Sequence, residues 1–114
     1  MLPRPMRMAV MAALALAGAG LSAAAAVPDV TQVRAWEHPS HTRLVLEISA
    51  EVEFSYFVLS RPRRLVIDFP ELSFALTRDS MANGPVGLVQ AMRFGLFAPG
   101  TSRVVLDLAG PARV

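Results

Sequence analysis

Three stretches of this chain repeat one another, and the repeat constrains the fold more than any other feature. Thr42-Arg43-Leu44-Val45-Leu46-Glu47-Ile48, Pro62-Arg63-Arg64-Leu65-Val66-Ile67-Asp68-Phe69 and Ser102-Arg103-Val104-Val105-Leu106-Asp107-Leu108 share an order: arginine, apolar, valine, apolar, acid, apolar. That order has the two-residue period of a strand with one buried face. Leu65, Ile67 and Phe69 are expected to point inward, and Val66 and Asp68 outward. Pro39 and Pro99, like Arg43 and Arg103, stand 60 residues apart, which makes the first and third copies an internal repeat.

The segment before the repeats reads as an export signal. Arg4 and Arg7 supply a positive end, Met8 to Leu21 is an unbroken run of apolar and small residues, and Ala24-Ala25-Ala26 offers a cleavage site after Ala26. The expected division is a signal-peptide helix at 1–26 and a single small domain at 27–114. The run is mostly alanine and glycine, whereas a stable membrane span needs about 20 strongly apolar residues, so no stable membrane anchor is expected. The arginines are not adjacent, and no cysteine is available for lipid attachment.

The sequence pI of about 10.4 and the net charge of +2 point superficially to nucleic acid. Arg4 and Arg7 carry that whole excess, so 27–114 is neutral and, with no lysine, lacks an electrostatic footprint for phosphate backbones. Arginine as the sole permanent cation suits planar, bidentate contacts with carboxylates. With no cysteine there are no disulfides, and stability rests on the apolar core.

Along the domain, Val30–Trp36, Thr42–Ser49, Phe54–Leu59, Arg63–Phe69, Val86–Phe94 and Ser102–Ala109 read as strands, separated by Pro, Gly and Ser turns. Glu71 to Gly84 fits either an edge strand followed by a loop or a helical turn at Asp79 to Ala82. The expected class is all-β, a sandwich of two related sheets. With the 60-residue offset, the last residues correspond to Val52, Glu53 and Phe54. The second repeat is therefore expected to be truncated, leaving the Ser102–Leu108 strand without its neighbour.

No catalytic constellation is present. His38 and His41 have the spacing of a metal pair, but Pro39 stands between them and no third ligand completes a site, so they read as solvated turn residues. Glu51 and Glu53 lie too close together on one strand to work across a cleft. No serine elbow, cysteine nucleophile or phosphate-cradling loop occurs. Trp36, the only tryptophan, is suited to stacking on a sugar ring, although burial is the commoner fate of this side chain. The candidate ligand-binding residues are Trp36 and the three arginines that head the matching strands, Arg43, Arg64 and Arg103.

The series Val33-Arg34-Ala35-Trp36, Thr42-Arg43-Leu44-Val45-Leu46, Phe57-Val58-Leu59-Ser60-Arg61-Pro62-Arg63-Arg64-Leu65-Val66-Ile67-Asp68, Arg93-Phe94-Gly95-Leu96-Phe97 and Ser102-Arg103-Val104-Val105-Leu106-Asp107-Leu108 resembles the AMIN domain. This is the targeting module of periplasmic N-acetylmuramoyl-L-alanine amidases, with related copies ahead of type IV pilus secretins. The resemblance implies a sandwich of two related sheets that binds peptidoglycan and helps bring an amidase to the division site, possible partners there being division-site proteins. It implies zinc in a separate catalytic domain and no cofactor in this chain. A periplasmic amidase in cell-wall remodelling and daughter-cell separation is the favoured parent, and a secretin interaction module is the alternative.

Overall fold

The computed structural model describes residues 6–14 and 26–114. Nine strands follow in chain order: β1 (Met6–Leu14), β2 (Asp29–Glu37), β3 (His41–Ile48), β4 (Ser55–Ser60), β5 (Arg63–Pro70), β6 (Ser73–Asp79), β7 (Val89–Ala98), β8 (Thr101–Leu108) and β9 (Ala112–Arg113). They form a five-stranded sheet in the order β6-β2-β3-β1-β9 and a four-stranded sheet in the order β4-β5-β8-β7. The two inner faces share one core. Val30, Val33, Leu44, Leu46 and Ile48 of the first sheet meet Leu65, Ile67, Phe69, Val104 and Leu106 of the second. The expected alternation holds in β5, where Leu65, Ile67 and Phe69 belong to this core and Val66 and Asp68 lie on the other face.

Each half begins with an antiparallel hairpin, β2–β3 or β7–β8. Pro99-Gly100 turns the second, with Gly100 at φ +81, the positive value that the third position of a type II turn requires. The halves then exchange strands. The β4–β5 hairpin leaves the sheet of β2 and β3, and β5 pairs antiparallel with β8. This corrects the expectation of an unpaired Ser102–Leu108 strand, because β8 lies between β5 and β7. That expectation kept each hairpin within its own half, whereas burying the apolar side of β5 places it against β8.

In the other sheet the position beside β3 is held by β1, in parallel register from Arg7 opposite His41 to Leu14 opposite Ile48. Met6–Leu14 is therefore extended where a signal-peptide helix is expected. An apolar run of this length suits a strand as well as a helix, and an open sheet edge is a template for pairing. Residues 1–5 and 15–25, which belong to the expected signal and carry most of its alanines, lie outside the described residues. Among the described residues no helix is long and apolar enough to cross a membrane.

Glu71 to Gly84 resolves as an edge strand followed by a loop. β6 runs parallel to β2, and Asp79 ends it by accepting the Met81 backbone N–H at 2.8 Å. Phe74 of β6 reaches across the sandwich and stacks on Phe94 of β7, with centroids 4.5 Å apart. At the opposite margin Tyr56 and Val58 pair with Ile67 and Leu65 on the inner side, yet remain 49% and 46% exposed. Glu51 and Glu53 are exposed residues of the β3–β4 loop rather than of a strand.

Two buried hydroxyls lace the sheets together at repeat-equivalent positions. Thr42 Oγ1 in β3 accepts the Leu88 backbone N–H at 2.8 Å, and Ser102 Oγ in β8 accepts the Leu72 backbone N–H at 2.9 Å. Both residues are fully buried. Each central strand thus holds the chain entering an edge strand of the opposite sheet. Gly87 (φ +52) makes the first latch possible, because a Cβ there would lie 2.4 Å from Thr42 Oγ1.

Thr42→Val and Ser102→Ala should each destabilise the fold by about 1–3 kcal/mol, the cost of leaving a buried N–H unpaired. Gly87→Ala should cost at least as much, since it adds a left-handed backbone penalty of about 1–2 kcal/mol. Urea unfolding measures all three, and losses under about 0.5 kcal/mol, the size of ordinary surface substitutions, would show that the latches do not hold the sheets.

Candidate binding faces

The outer face of the four-stranded sheet is built by two copies of the strand motif paired head to tail. Because β5 and β8 run antiparallel about Val66 and Val105, Arg64 falls opposite Asp107 and Asp68 opposite Arg103. The second of these contacts closes as a bidentate fork, with Arg103 Nε donating to Asp68 Oδ1 at 2.7 Å and a terminal nitrogen donating to Oδ2 at 3.0 Å. Asp107 is engaged by Arg93 of β7 at 2.9 Å. Arg64 lies half-buried beside them, its Nε buried without a hydrogen-bond partner.

Aromatic rings complete this face. The Arg103 guanidinium lies 3.5 Å from the Phe97 ring centroid and 5.7 Å from that of Phe57. Both phenylalanines are exposed. Gly95 stands opposite Arg103 with open space where a side chain would be. A shallow groove of about 210 Å³ runs there between Arg93, Phe97 and Arg103. A second groove of about 420 Å³, lined by Glu53, Ser55, Asp68 and Thr101, opens on the other side of the ion pair.

The outer face of the five-stranded sheet carries a related arrangement. Trp36 and Arg43 are cross-strand partners, and the guanidinium lies 5.4 Å from the indole centroid. Trp36 is half-buried on this outer face, outside the core that is the commoner place for tryptophan. Its Nε1 donates to His38 Nε2, and the His38 ring stacks on His41 with centroids 4.5 Å apart. These histidines are thus a small ring stack at a strand end. Among the described residues no group of three His, Cys, Asp or Glu side chains could hold a metal ion. Arg34 pairs with Glu47 at 2.8 Å, as Arg93 does with Asp107 in the other half.

The four residues singled out from the sequence are therefore not one site. Trp36 and Arg43 come together on one face, Arg64 and Arg103 on the other, with the core between them. Sequence reasoning missed Asp68, Phe57 and Phe97 as partners of Arg103. The signal for Asp68 was present, because antiparallel pairing of two copies of an arginine-x-valine-x-acid motif sets each arginine against the other copy's acid. No such signal marks the two phenylalanines, which converge on Arg103 from separate strands.

The chain belongs to the AMIN domain family, which it matches over residues 28–114. Among curated proteins it is 34% identical over 89 residues to the N-acetylmuramoyl-L-alanine amidase AmiC of Neisseria meningitidis serogroup B. It is 32% identical over 87 residues to the AmiC amidase of Escherichia coli O6:H1. Each alignment covers 74% of this chain but only 21% of the relative, so the chain spans about a fifth of their length.

Hydrogen bonds from Arg103 hold the Asp68 carboxyl below its ordinary value, more than offsetting the partial burial that opposes them, with the guanidinium charge adding to the effect. A folded-state pKa below the unfolded one contributes stability that is complete above the unfolded value, about 3.9. That contribution is lost as pH falls through the lower folded value. The thermal midpoint of the wild type should accordingly fall more steeply than that of Asp68→Asn as pH drops from about 6 to 2. Parallel curves for the two proteins would remove the ion pair from the acid response.

Proposed function

We propose that this chain is the peptidoglycan-binding, localising module of an N-acetylmuramoyl-L-alanine amidase, acting in cell-wall remodelling and daughter-cell separation. The observation that carries this reading is the family match over 28–114 together with the two amidase relatives, of which the matched part is about a fifth. A segment of that size suits a module that places an enzyme rather than one that performs its chemistry. Zinc and the hydrolytic step belong, on this reading, to a separate catalytic domain. Export by the amino-terminal segment, with cleavage after Ala26, puts the module in the periplasm, where its polymer lies, and removes β1 from its place beside β3.

The chemistry of the outer faces supports the same reading. A wall polymer of sugars and short peptides offers apolar sugar faces and carboxylates. Exposed aromatic rings take the first, and guanidinium groups take the second in a planar, bidentate contact. Arg64 supplies donors, and Trp36, Phe57 and Phe97 supply ring surface. Division-site proteins are the further partners this role calls for.

The full chain should sediment with isolated peptidoglycan and release no soluble muropeptides from it, with or without added zinc. Release of such products would overturn the reading, and so would absence from the pellet. Arg43→Ala, Arg64→Ala and Arg103→Ala should each weaken co-sedimentation while circular dichroism remains that of the wild type. Undiminished binding by all three would assign these arginines to strand pairing alone.

A further inference from the structure

We propose that the cleaved chain is a closed two-fold dimer in which β4 of each copy takes the place of β1 beside β3 of the other. This rests on the export reading above, since it is cleavage that removes β1. Among the described residues, β9 pairs with β1 and with no other strand. Loss of β1 therefore also unseats β9, and the five-stranded sheet shrinks to β6-β2-β3. The backbone edge of β3 from His41 to Ile48, which β1 occupies in full, is then open along a strand whose Leu44, Leu46 and Ile48 belong to the core.

The opposite sheet has the reverse condition. Among the described residues β4 is its edge strand, with β5 on one side only. Every residue of β4 is exposed, Tyr56, Phe57, Val58 and Leu59 among them. Natural sheets guard such edges with charge, proline or bulges. The edges at the other margin carry these guards: β7 shifts register twice and bears Arg93, and β6 has a register shift against β2 and bears Arg78 and Asp79. β4 has none, for Ser55–Ser60 holds no charge and no proline and pairs with β5 without a shift.

Placement decides the partner. The Phe74–Phe94 stack puts β6 and β7 at one margin of the sandwich, so the opened β3 edge and the overhanging β4 lie together at the other. β4 does not reach β3 of its own chain, because it is paired along its whole length with β5 in the other sheet. A second copy, turned by a half-rotation about an axis along the strands, brings its β4 to this β3 and receives this β4 at its own β3. Each layer then holds seven strands, three from one copy and four from the other. Tyr56 and Val58, on the inner side of β4, pass into the joint core. Both unguarded edges are used at once, whereas a foreign strand on β3 would leave β4 bare. Such an isologous contact is closed, and only the guarded β6 and β7 edges remain outside.

Sedimentation of the full chain before and after cleavage by signal peptidase tests this, with the mass of the product confirming the cut. The uncleaved chain should be a monomer and the cleaved chain a dimer that dissociates on dilution. Val58→Lys, which sets a charge on the inner side of β4, should weaken the cleaved dimer by at least about tenfold, since a charge carried into an apolar joint is costly. Leu96→Lys, at a more exposed apolar site on β7, should leave it unchanged. Should Val58→Lys fail to fold by circular dichroism, hydrogen exchange on the cleaved wild type carries the test: amides of β3 and β4 should gain protection as concentration rises, and those of β6 and β7 should not. A cleaved chain that is monomeric or unfolded, or a dimer whose protection lies elsewhere, would overturn the pairing and leave the export reading standing. Protection of β3 that appears only with added peptidoglycan would give the edge to that polymer's peptides and overturn the pairing likewise. Assemblies that grow without limit would overturn the closed two-fold form. A chain that signal peptidase leaves intact would remove both readings together.

Discussion

The interaction on which the rest of this structure depends is the antiparallel pairing of two copies of one strand motif, β5 against β8. The motif is complementary to itself when reversed: arginine meets acid at one end, valine meets valine in the middle, and acid meets arginine at the other. Leu65, Ile67, Val104 and Leu106 then fall together on the inner face with no exposed surface. A slip of one residue would turn this apolar set outward and set it against the charged rows. The pairing therefore selects register as well as partner. Since β5 belongs to the first half of the chain and β8 to the second, it also joins the halves, and neither completes its sheet alone. Such long-range pairing implies slow, concerted folding relative to a helical domain of this size.

Around that pair the Thr42 and Ser102 latches set how the sheets lie on each other. Apolar packing between two faces is largely non-directional, so a core of leucines, valines and isoleucines tolerates sliding. A buried hydroxyl does not, because a backbone N–H taken out of water has to find its acceptor. Placing the two latches at repeat-equivalent positions fixes the entry points of β6 and β7 together. Gly87 is the residue this arrangement demands in return, the one place among these turns where both the backbone angle and the space exclude a side chain.

Much of this was legible in the residues. The two-residue period gave six of the strands, five of them closely and β7 with a shift along the chain, and the outward arginines and acids followed from the same alternation. The exchange of the β4–β5 hairpin was not legible, because periodicity reports which face of a strand is buried and says nothing of the sheet it joins. Thus Ser102–Leu108 was expected to be an edge and is central. Met6–Leu14 shows the other limit, since a short apolar run carries no period that separates helix from strand, and its pairing with β3 is decided by an edge elsewhere in the chain. The candidate site was legible as a set of residue types and not as a place. Arg43 and Arg103 look alike in sequence because they are repeat copies and end up apart because β3 and β8 are central in different sheets, whereas Arg64, in another copy of the same motif, joins Arg103 on one face.

The strength of such faces is bounded by their chemistry. Arg103 already spends its bidentate donors on Asp68, so a ligand carboxylate competes with an intramolecular partner and gains little from displacing it. What Arg103 and Phe97 offer is a flat platform, and an exposed contact of this cation–aromatic kind is individually weak. A module built from contacts of this size binds weakly to any one segment of polymer. Yet linked weak sites gain roughly 10²- to 10⁴-fold when they engage one array together, and a cross-linked wall is such an array. Weak individual contacts also release quickly, which lets a module search along a polymer without becoming fixed to one point of it. A neutral sandwich with ring and guanidinium surfaces on two sides is thus better suited to concentrating an attached domain at a wall than to gripping a single substrate molecule.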